Sequence, residues 1–444
     1  MDLLNCNIRK AYTHYFAAAF GSSCISCIYG IVDMAVVGQY HGPDGTAAMS
    51  VVMPIFNIIY SLGLLYGIGG SVLFSTQKGK GQKDSDAVGP NEYFTTSLIC
   101  SAVTGILLWI ILFSFEEPIL YLFGADESLL PLAKKYILPI KIGAPVFVFN
   151  QMTAAYLRND NAPGLATLSV VISGIFNVFA DFFFVFGLDM GIIGAGIATT
   201  LGATVSLVVM CTHFFTKKNT LRLVKVRQIF NKIKRILVTG FSTFFVDLAM
   251  GIITILFNRQ IMQYLGTNAL SVFGILVNIY TFVQCCAYGA GQAAQPIISM
   301  NYGAGKASRI KETLKYAIYT VIFFGVLWLA LIELFPNAFI HLFMDATEEV
   351  LAIAPGIMRR FGLCFLILPF NIFSTYYFQA IMKPATSFAV SVSHGLVISG
   401  ILIMVLPTLF GGNAVWYAMP ITEALVAVYV VVMMVKYTRA LKEA

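Results

Sequence analysis

Twelve stretches of this chain are each long and apolar enough to cross a lipid bilayer, and that pattern leaves few folds open. A bilayer core takes about 20 apolar residues per helix, and more when the helix tilts. Such runs fall at roughly 12–37, 46–74, 93–115, 129–157, 163–188, 191–215, 232–257, 268–300, 313–334, 351–382, 385–409 and 413–437. Within hydrocarbon every backbone N–H and C=O must find a partner in the protein, which leaves helices and closed barrels. The runs are continuous rather than alternating, which excludes a barrel. Composition agrees: 58% of residues are apolar and 11% charged, against about a quarter charged in an ordinary soluble domain. The first run has spanning length and no small-residue cleavage site after it, so it reads as a helix rather than a secretory leader. The expectation is an all-α integral membrane protein with twelve transmembrane helices.

Basic residues set its orientation, because cytoplasmic loops collect Lys and Arg. Counting alternate connections, 22 of the 28 Lys and Arg fall on the side that bears both termini. They include Arg9, Lys78, Lys80, Lys83, Arg158, Arg309 and eight residues of the segment 216–235. Lys134, Lys135, Lys141, Arg259, Arg359 and Arg360 fall on the other side. Both termini are therefore expected in the cytoplasm of a multi-pass plasma-membrane protein. The net charge of +7 is then topology, and no nucleic-acid partner is expected. The eight Cys lie mostly inside apolar runs and read as small hydrophobes. His14, His41, His213, His341 and His394 are far apart, without the spacing of metal ligands.

The basic segment "TKKNTLRLVKVRQIFNKIKR" divides the runs six and six, giving expected domains 1–215 and 236–444 around a linker at 216–235. The halves echo one another in order. "YGIGG" at 66–70 is answered by "YGAGQ" at 288–292, and "YLFGAD" at 121–126 by "HLFMDA" at 341–346. Two six-helix halves share one orientation, the parallel-repeat arrangement found in alternating-access transporters. No phosphate-cradling GxxxxGK[ST] loop is present, so transport would draw on an ion gradient or a partner chain.

In the fifth run, "GIFNVFADFFFVFG" at 174–187 holds Asn177 and Asp181. An ionised carboxylate at the bilayer midplane costs about 2.5–3.5 kcal/mol on insertion scales, so such an acid ordinarily faces a bundle interior and does work there. Asn177 and Asp181 are four apart and share a helix face. Asp33, in "YGIVDMAVVG", is the other intramembrane acid of the first half. The first and fifth helices run outward, with Asp33 and Asp181 about four and seven residues below their outer ends. The fourth and sixth run inward, and residues about seven below their outer ends are Tyr136 and Thr199. At about 1.5 Å per residue these side chains share a layer roughly 6–12 Å deep. Such oxygen ligands suit a hard cation or a carboxylate that cycles a proton. Taken singly, Asn, Thr or Tyr in a membrane helix ordinarily serves as interhelical glue.

The chain at this point resembles the multidrug and toxic compound extrusion (MATE) family of efflux antiporters. The resemblance spans essentially its whole length. It rests on the six-plus-six layout, "DMAVVGQYHGPDGTAAMS", "GIGGSVLFSTQKGKG", "AAYLRNDNAPGLAT", "NVFAD", "GIIGAGIATTLG" and "AVWYAMPITEAL", in that order. It implies two pseudo-symmetric six-helix lobes. It also implies a cation or proton site in the first lobe at Asp33, Tyr136, Asn177, Asp181 and Thr199, with Thr200 as the alternative to Thr199. Na⁺ would sit at Asp33, Asn177 and Asp181. The chain departs from some relatives in having Asn371 where they carry a helix-ten acid, in the register of Asp247 on helix seven, and in lacking a Pro in the first helix.

Asp247 and Glu423 lie near mid-depth, where they either meet a cationic substrate or make internal hydrogen bonds. Phe147, Met152, Tyr280 and Tyr376, with Asn371, are further substrate-cleft candidates, since aromatics and Met make repackable linings. Packing is the alternative for each. The implied function is Na⁺- or H⁺-coupled export of amphipathic, cationic small molecules by a monomer that needs no cofactor and is not an enzyme. A lipid-linked precursor flippase would place basic residues in the cleft, whereas here they are in loops. A membrane enzyme would need a reactive constellation that the scattered His do not supply.

Overall fold

The computed structural model describes residues 2–81, 88–343 and 347–442; Lys83 and the end of the 341–346 echo lie outside them. Among the described residues there are helices and no strands. Twelve helices are long enough to span: α1 (Ile8–Gly42), α2 (Asp44–Lys80), α3 (Gly89–Ser114), α4 (Leu130–Asn159), α5 (Pro163–Gly187), α6 (Ile192–Phe215), α7 (Ile229–Tyr264), α8 (Thr267–Gly303), α9 (Ala307–Leu334), α10 (Glu348–Ala380), α11 (Pro384–Phe410) and α12 (Gly412–Arg439). Eleven of them also pass by composition. The exception is α4, whose 30 residues span about 45 Å but include Lys134, Lys135, Lys141 and Arg158.

Several helices overrun the apolar stretches that define them. α1 continues to Gly42, which puts Asp33 nine residues (33 to 42) from its end rather than about four. Its stop is conformational: Gly42 has φ 63° and ψ −150°, a backbone state that residues with a Cβ rarely adopt. The duplication is visible in local geometry. The turn between α4 and α5 places Asn161 at φ 60°, and the turn between α10 and α11 places Met382 at φ 57°. Each is followed two residues later by a Pro at the first helical position.

The chain forms two compact units, Gly21–Phe244 and Leu3–Phe20 with Phe245–Ala444. In the first, Val36, Val37, Ile55 and Ile59 of α1 and α2 pack with Ile137, Ile140 and Val148 of α4 and Ile192 and Ala195 of α6. In the second, Ile8, Tyr12 and Tyr15 at the start of α1 pack with Ala293 and Ile297 of α8, Ile310 and Leu314 of α9, and Val426 and Val430 of α12. Tyr12 donates to Thr320 Oγ1 at 3.0 Å, and Arg309 donates to the carbonyls of Leu3 and Cys6 at 3.0 and 2.7 Å. The outer faces remain apolar: Ile106, Leu107 and Ile110 of α3 and Ile322, Phe323 and Val326 of α9 are all exposed, as a lipid-facing surface requires.

The segment after α6 is fastened rather than free. Backbone N–H groups of Arg222, Val224 and Arg227 donate to the side chains of Asn91, Thr95 and Glu92 on α3, at 2.9, 3.1 and 2.8 Å. Beneath it the fully buried Asp160 accepts from Lys78 at 2.8 Å, from the Thr220 N–H at 2.8 Å and from the Thr220 hydroxyl, with His213 Nε2 at 2.9 Å. Burial alone works against the Asp160 charge, but His213, Lys78 and Thr220 outweigh it and hold the carboxyl below its ordinary range.

Candidate functional site

The first unit converges on α6, and its "GIIGAGIATTLG" stretch explains how. A Cβ at Gly196 would stand 2.7 Å from the Tyr136 carbonyl oxygen, so only Gly lets α4 approach α6 here. Two turns on, a Cβ at Gly202 would meet Ser173 Oγ at 3.3 Å and Asn177 Cβ at 3.4 Å. The Ser173 hydroxyl donates to the Gly202 carbonyl at 2.8 Å, tying α5 to the same helix. Thr199 lies between these two close approaches.

Asp33, Tyr136, Asn177 and Asp181 are all buried, with exposures of 5, 3, 2 and 0%, and they share one neighbourhood with Thr199. The Thr199 hydroxyl reaches Asp33 Oδ2 at 3.2 Å, whereas the Thr200 side chain packs toward Gly143, so the register falls on Thr199. The Asp33 and Asp181 carboxyls are adjacent, with Asn177 beside Asp33 and the Tyr136 ring near both acids. Asp33 Oδ1, both Asp181 oxygens and both polar atoms of the Asn177 amide are buried with no hydrogen-bond partner outside this cluster. Such atoms are rare in a native interior. Two carboxylates side by side in a low dielectric repel unless a proton or a cation lies between them. α5 changes to a π-helical turn at Phe182–Gly187, immediately after Asp181, a distortion that recurs at functional sites.

The remaining candidates divide into packing residues and a second polar cluster. Phe147 is buried against Phe56, with ring centroids 5.0 Å apart. Met152 belongs to a small core with Phe74, Phe94 and Tyr156. Asp247 accepts from the Tyr288 hydroxyl at 2.7 Å, and Tyr288 packs edge-on against the buried Tyr376. Glu423 is fully buried; its Oε2 accepts from Asn371 Nδ2 at 2.7 Å, and its Oε1 lies 2.7 Å from His394 Nδ1. Tyr280 and His394 help line a small cavity of about 30 Å³ in the second unit.

Sequence reasoning passes over His394 because a single His in an apolar run has no ligand spacing; its pairing with Glu423 is tertiary. It also passes over the latch beyond the site. There the Tyr40 hydroxyl donates to Asp189 at 2.5 Å, and His41 Nε2 accepts the Ile192 N–H at 3.0 Å. Among the described residues no group of three or more His, Cys, Asp and Glu is placed to hold a metal ion.

Twelve spanning helices, a repeated half and a buried acid pair define a polytopic membrane transporter with an internal duplication. The MatE family profile matches residues 18–183 and again 241–406, a shift of 223 residues. The chain belongs to the MatE family, whose members are transporters and not enzymes. The multidrug export protein MepA of Staphylococcus saprophyticus is 23% identical over 429 residues, covering 95% of this chain and 92% of that protein. MepA of Staphylococcus aureus strain MSSA476 is 21% identical over 430 residues, with the same coverage. The fold superposes with a TM-score of 0.90 on the outward-facing conformation of a multidrug resistance MATE family transporter of the MOP superfamily. The two are 22% identical, over 100% of this chain and 98% of that one. A MOP superfamily transporter from Pyrococcus furiosus, with a binding pocket of reversed polarity, gives the same TM-score, identity and coverage. The correspondence of Pro163 with Pro384, a shift of 221, places Asn177 and Asp181 on Ile398 and Leu402, neither of which is an acid.

Proposed function

We propose that this protein is a multidrug efflux antiporter. It exports amphipathic, cationic compounds across a bacterial plasma membrane in exchange for Na⁺ or H⁺. The reading rests on one observation above the others: two buried carboxyls, Asp33 and Asp181, lie side by side with the amide of Asn177 next to them. That donor set fits either coupling ion, which is a transported substrate here and not a resident cofactor. A hard cation takes carboxylate, amide and hydroxyl oxygens; a proton shared by the acid pair relieves the same repulsion. The names of the staphylococcal relatives support drug export. The basic-residue count supports cytoplasmic termini, with the ion site in the outer half.

Coupling requires that the ion bind one conformation more tightly than the other. The six-helix halves 1–215 and 236–444, joined by 216–235, are the bodies that exchange access, and a monomer suffices. The test is dye efflux from reconstituted vesicles under an imposed Na⁺ or pH gradient. Gradient-driven efflux by the native chain, lost in Asp33→Asn/Asp181→Asn, is the expected result. Undiminished efflux by the double variant rejects the assignment.

A further inference from the structure

The connection between α6 and α7 carries more charge than its fastening uses. Residues 212–246 hold eight Lys and Arg and no Asp or Glu. α6 ends at Phe215 and α7 begins at Ile229, and the backbone between them is pinned to the opening turns of α3 through Arg222, Val224 and Arg227. Three spanning helices thus keep the segment 216–228 at one face of the membrane. Leu221 anchors it inward, 2% exposed and packed with Phe74, Phe94 and Tyr156.

The acids beneath the segment already have partners. Glu92 pairs with Lys232 and Asp160 with Lys78, each at 2.8 Å. Arg235 lies over the Tyr93 ring, 5.5 Å from its centroid. Among the described residues, Lys217, Lys218, Arg222, Lys225 and Lys234 are exposed and form no ion pair. Interspersed with them are Phe215, Leu223 and Phe230, which are 91, 69 and 83% exposed. Water gives three such side chains no apolar contact. At the boundary between headgroups and acyl chains they bury themselves, while the Lys and Arg beside them reach phosphates.

We propose that this segment is a binding surface for anionic phospholipid. Headgroup phosphates lie against Lys217, Lys218, Arg222 and Lys225, and Leu223 and Phe230 enter the acyl boundary. Charge selects the partner: a row of separated cations without acids of its own matches a leaflet rich in negative headgroups. Each Lys or Arg near such a surface adds about fivefold to binding, or about 1 kcal/mol. The three backbone hydrogen bonds to α3 hold the segment extended beforehand, so little chain freedom is lost when lipid binds.

None of the coupling residues takes part, so the test needs no gradient, and its outcome is separate from that of the efflux assay. Leu223→Trp places a reporter on the segment of the full chain, against the background of Trp109, Trp328 and Trp416 in the native chain. Both are reconstituted in bilayers that mix phosphatidylcholine and phosphatidylglycerol, with one or the other lipid brominated on its acyl chains. From the extra quenching, phosphatidylglycerol is expected at the reporter with at least about fivefold preference at low salt. The preference should fall to near parity at about 1 M salt, where the screening length is about 3 Å. Lys217→Gln/Lys218→Gln/Lys225→Gln should bring it to about twofold or less at low salt, with an unchanged melting temperature. Equal quenching by the two lipids, or a preference that survives the triple variant or high salt, overturns the proposal. So does a reporter that neither lipid quenches, since the segment then faces water or another protein.

Discussion

The Thr199 hydroxyl lies 3.2 Å from Asp33 Oδ2 and 3.0 Å from the Ala195 carbonyl oxygen, with a single proton to offer the two of them. When Asp33 holds neither ion nor proton, that hydrogen steadies the carboxylate. On the proposed coupling, a cation reaching this pair would turn the hydrogen to Ala195 and meet the Thr199 oxygen. Thr199→Val should therefore weaken coupling-ion binding by roughly 3- to 10-fold, corresponding to about 1 kcal/mol for one hydrogen bond. Thr199→Ser should restore it. Ion-dependent quenching of tryptophan fluorescence in the purified protein reads both.

Asn at either Asp33 or Asp181 removes the charge while keeping the shape. If the proposed coupling holds, each single variant should reduce gradient-driven efflux by at least about tenfold, since coupling requires differential ion binding. Expression and thermal stability should hold or improve, because one of two repelling buried acids is gone. The comparison is efflux rate against melting temperature in the same preparation.

Helix crossing makes a separate prediction about stability. A Cβ at Gly240 on α7 would run into the Leu65 carbonyl of α2, whereas one at Gly251 meets nothing within 4 Å. Gly240→Ala should destabilise the protein by about 1–3 kcal/mol through overpacking. Gly251→Ala should stabilise it by about 0.5–1 kcal/mol through helix propensity. Opposite shifts in the melting temperature of the two variants check the prediction.

The Asp160 cluster predicts a pH dependence of definite sign. Its carboxyl is held below its ordinary range in the folded state, so its stabilisation is complete above the unfolded value of about 3.9 and is lost as pH falls through the folded value. Asp160→Asn should cost about 3 kcal/mol near neutral pH, because Lys78 is left without its buried partner. The gap between native and variant should close only as pH falls below about 3.9 and through the lower folded value, where the native Asp is also neutral. Thermal unfolding across that range measures it.

The course of the chain through the membrane could be read from the sequence because lipid tolerates so few backbone solutions. The acid pair was legible for a related reason: a carboxylate in "NVFADFFFVFG" is costly enough to demand an explanation. Helix register brought the position near, but it left Thr200 open beside Thr199 until the 3.2 Å contact with Asp33 was seen. His394 was not legible, because "SVSHGLV" carries no sign that Glu423 lies against it. Nor was the seat of the basic segment, since Asn91, Glu92 and Thr95 look like ordinary residues opening a helix until Arg222, Val224 and Arg227 are seen to bond to them.

That seat decides where the polypeptide could be cut. The stretch from Thr220 to Arg227 is bound to the amino-terminal piece along its own backbone, and α7 begins only after Gln228, at φ 51°. Two separately expressed fragments should reassemble if the break follows Gln228. A break before Thr216 would strand the extended segment on the wrong fragment and leave Asp160 without both hydrogen bonds from Thr220.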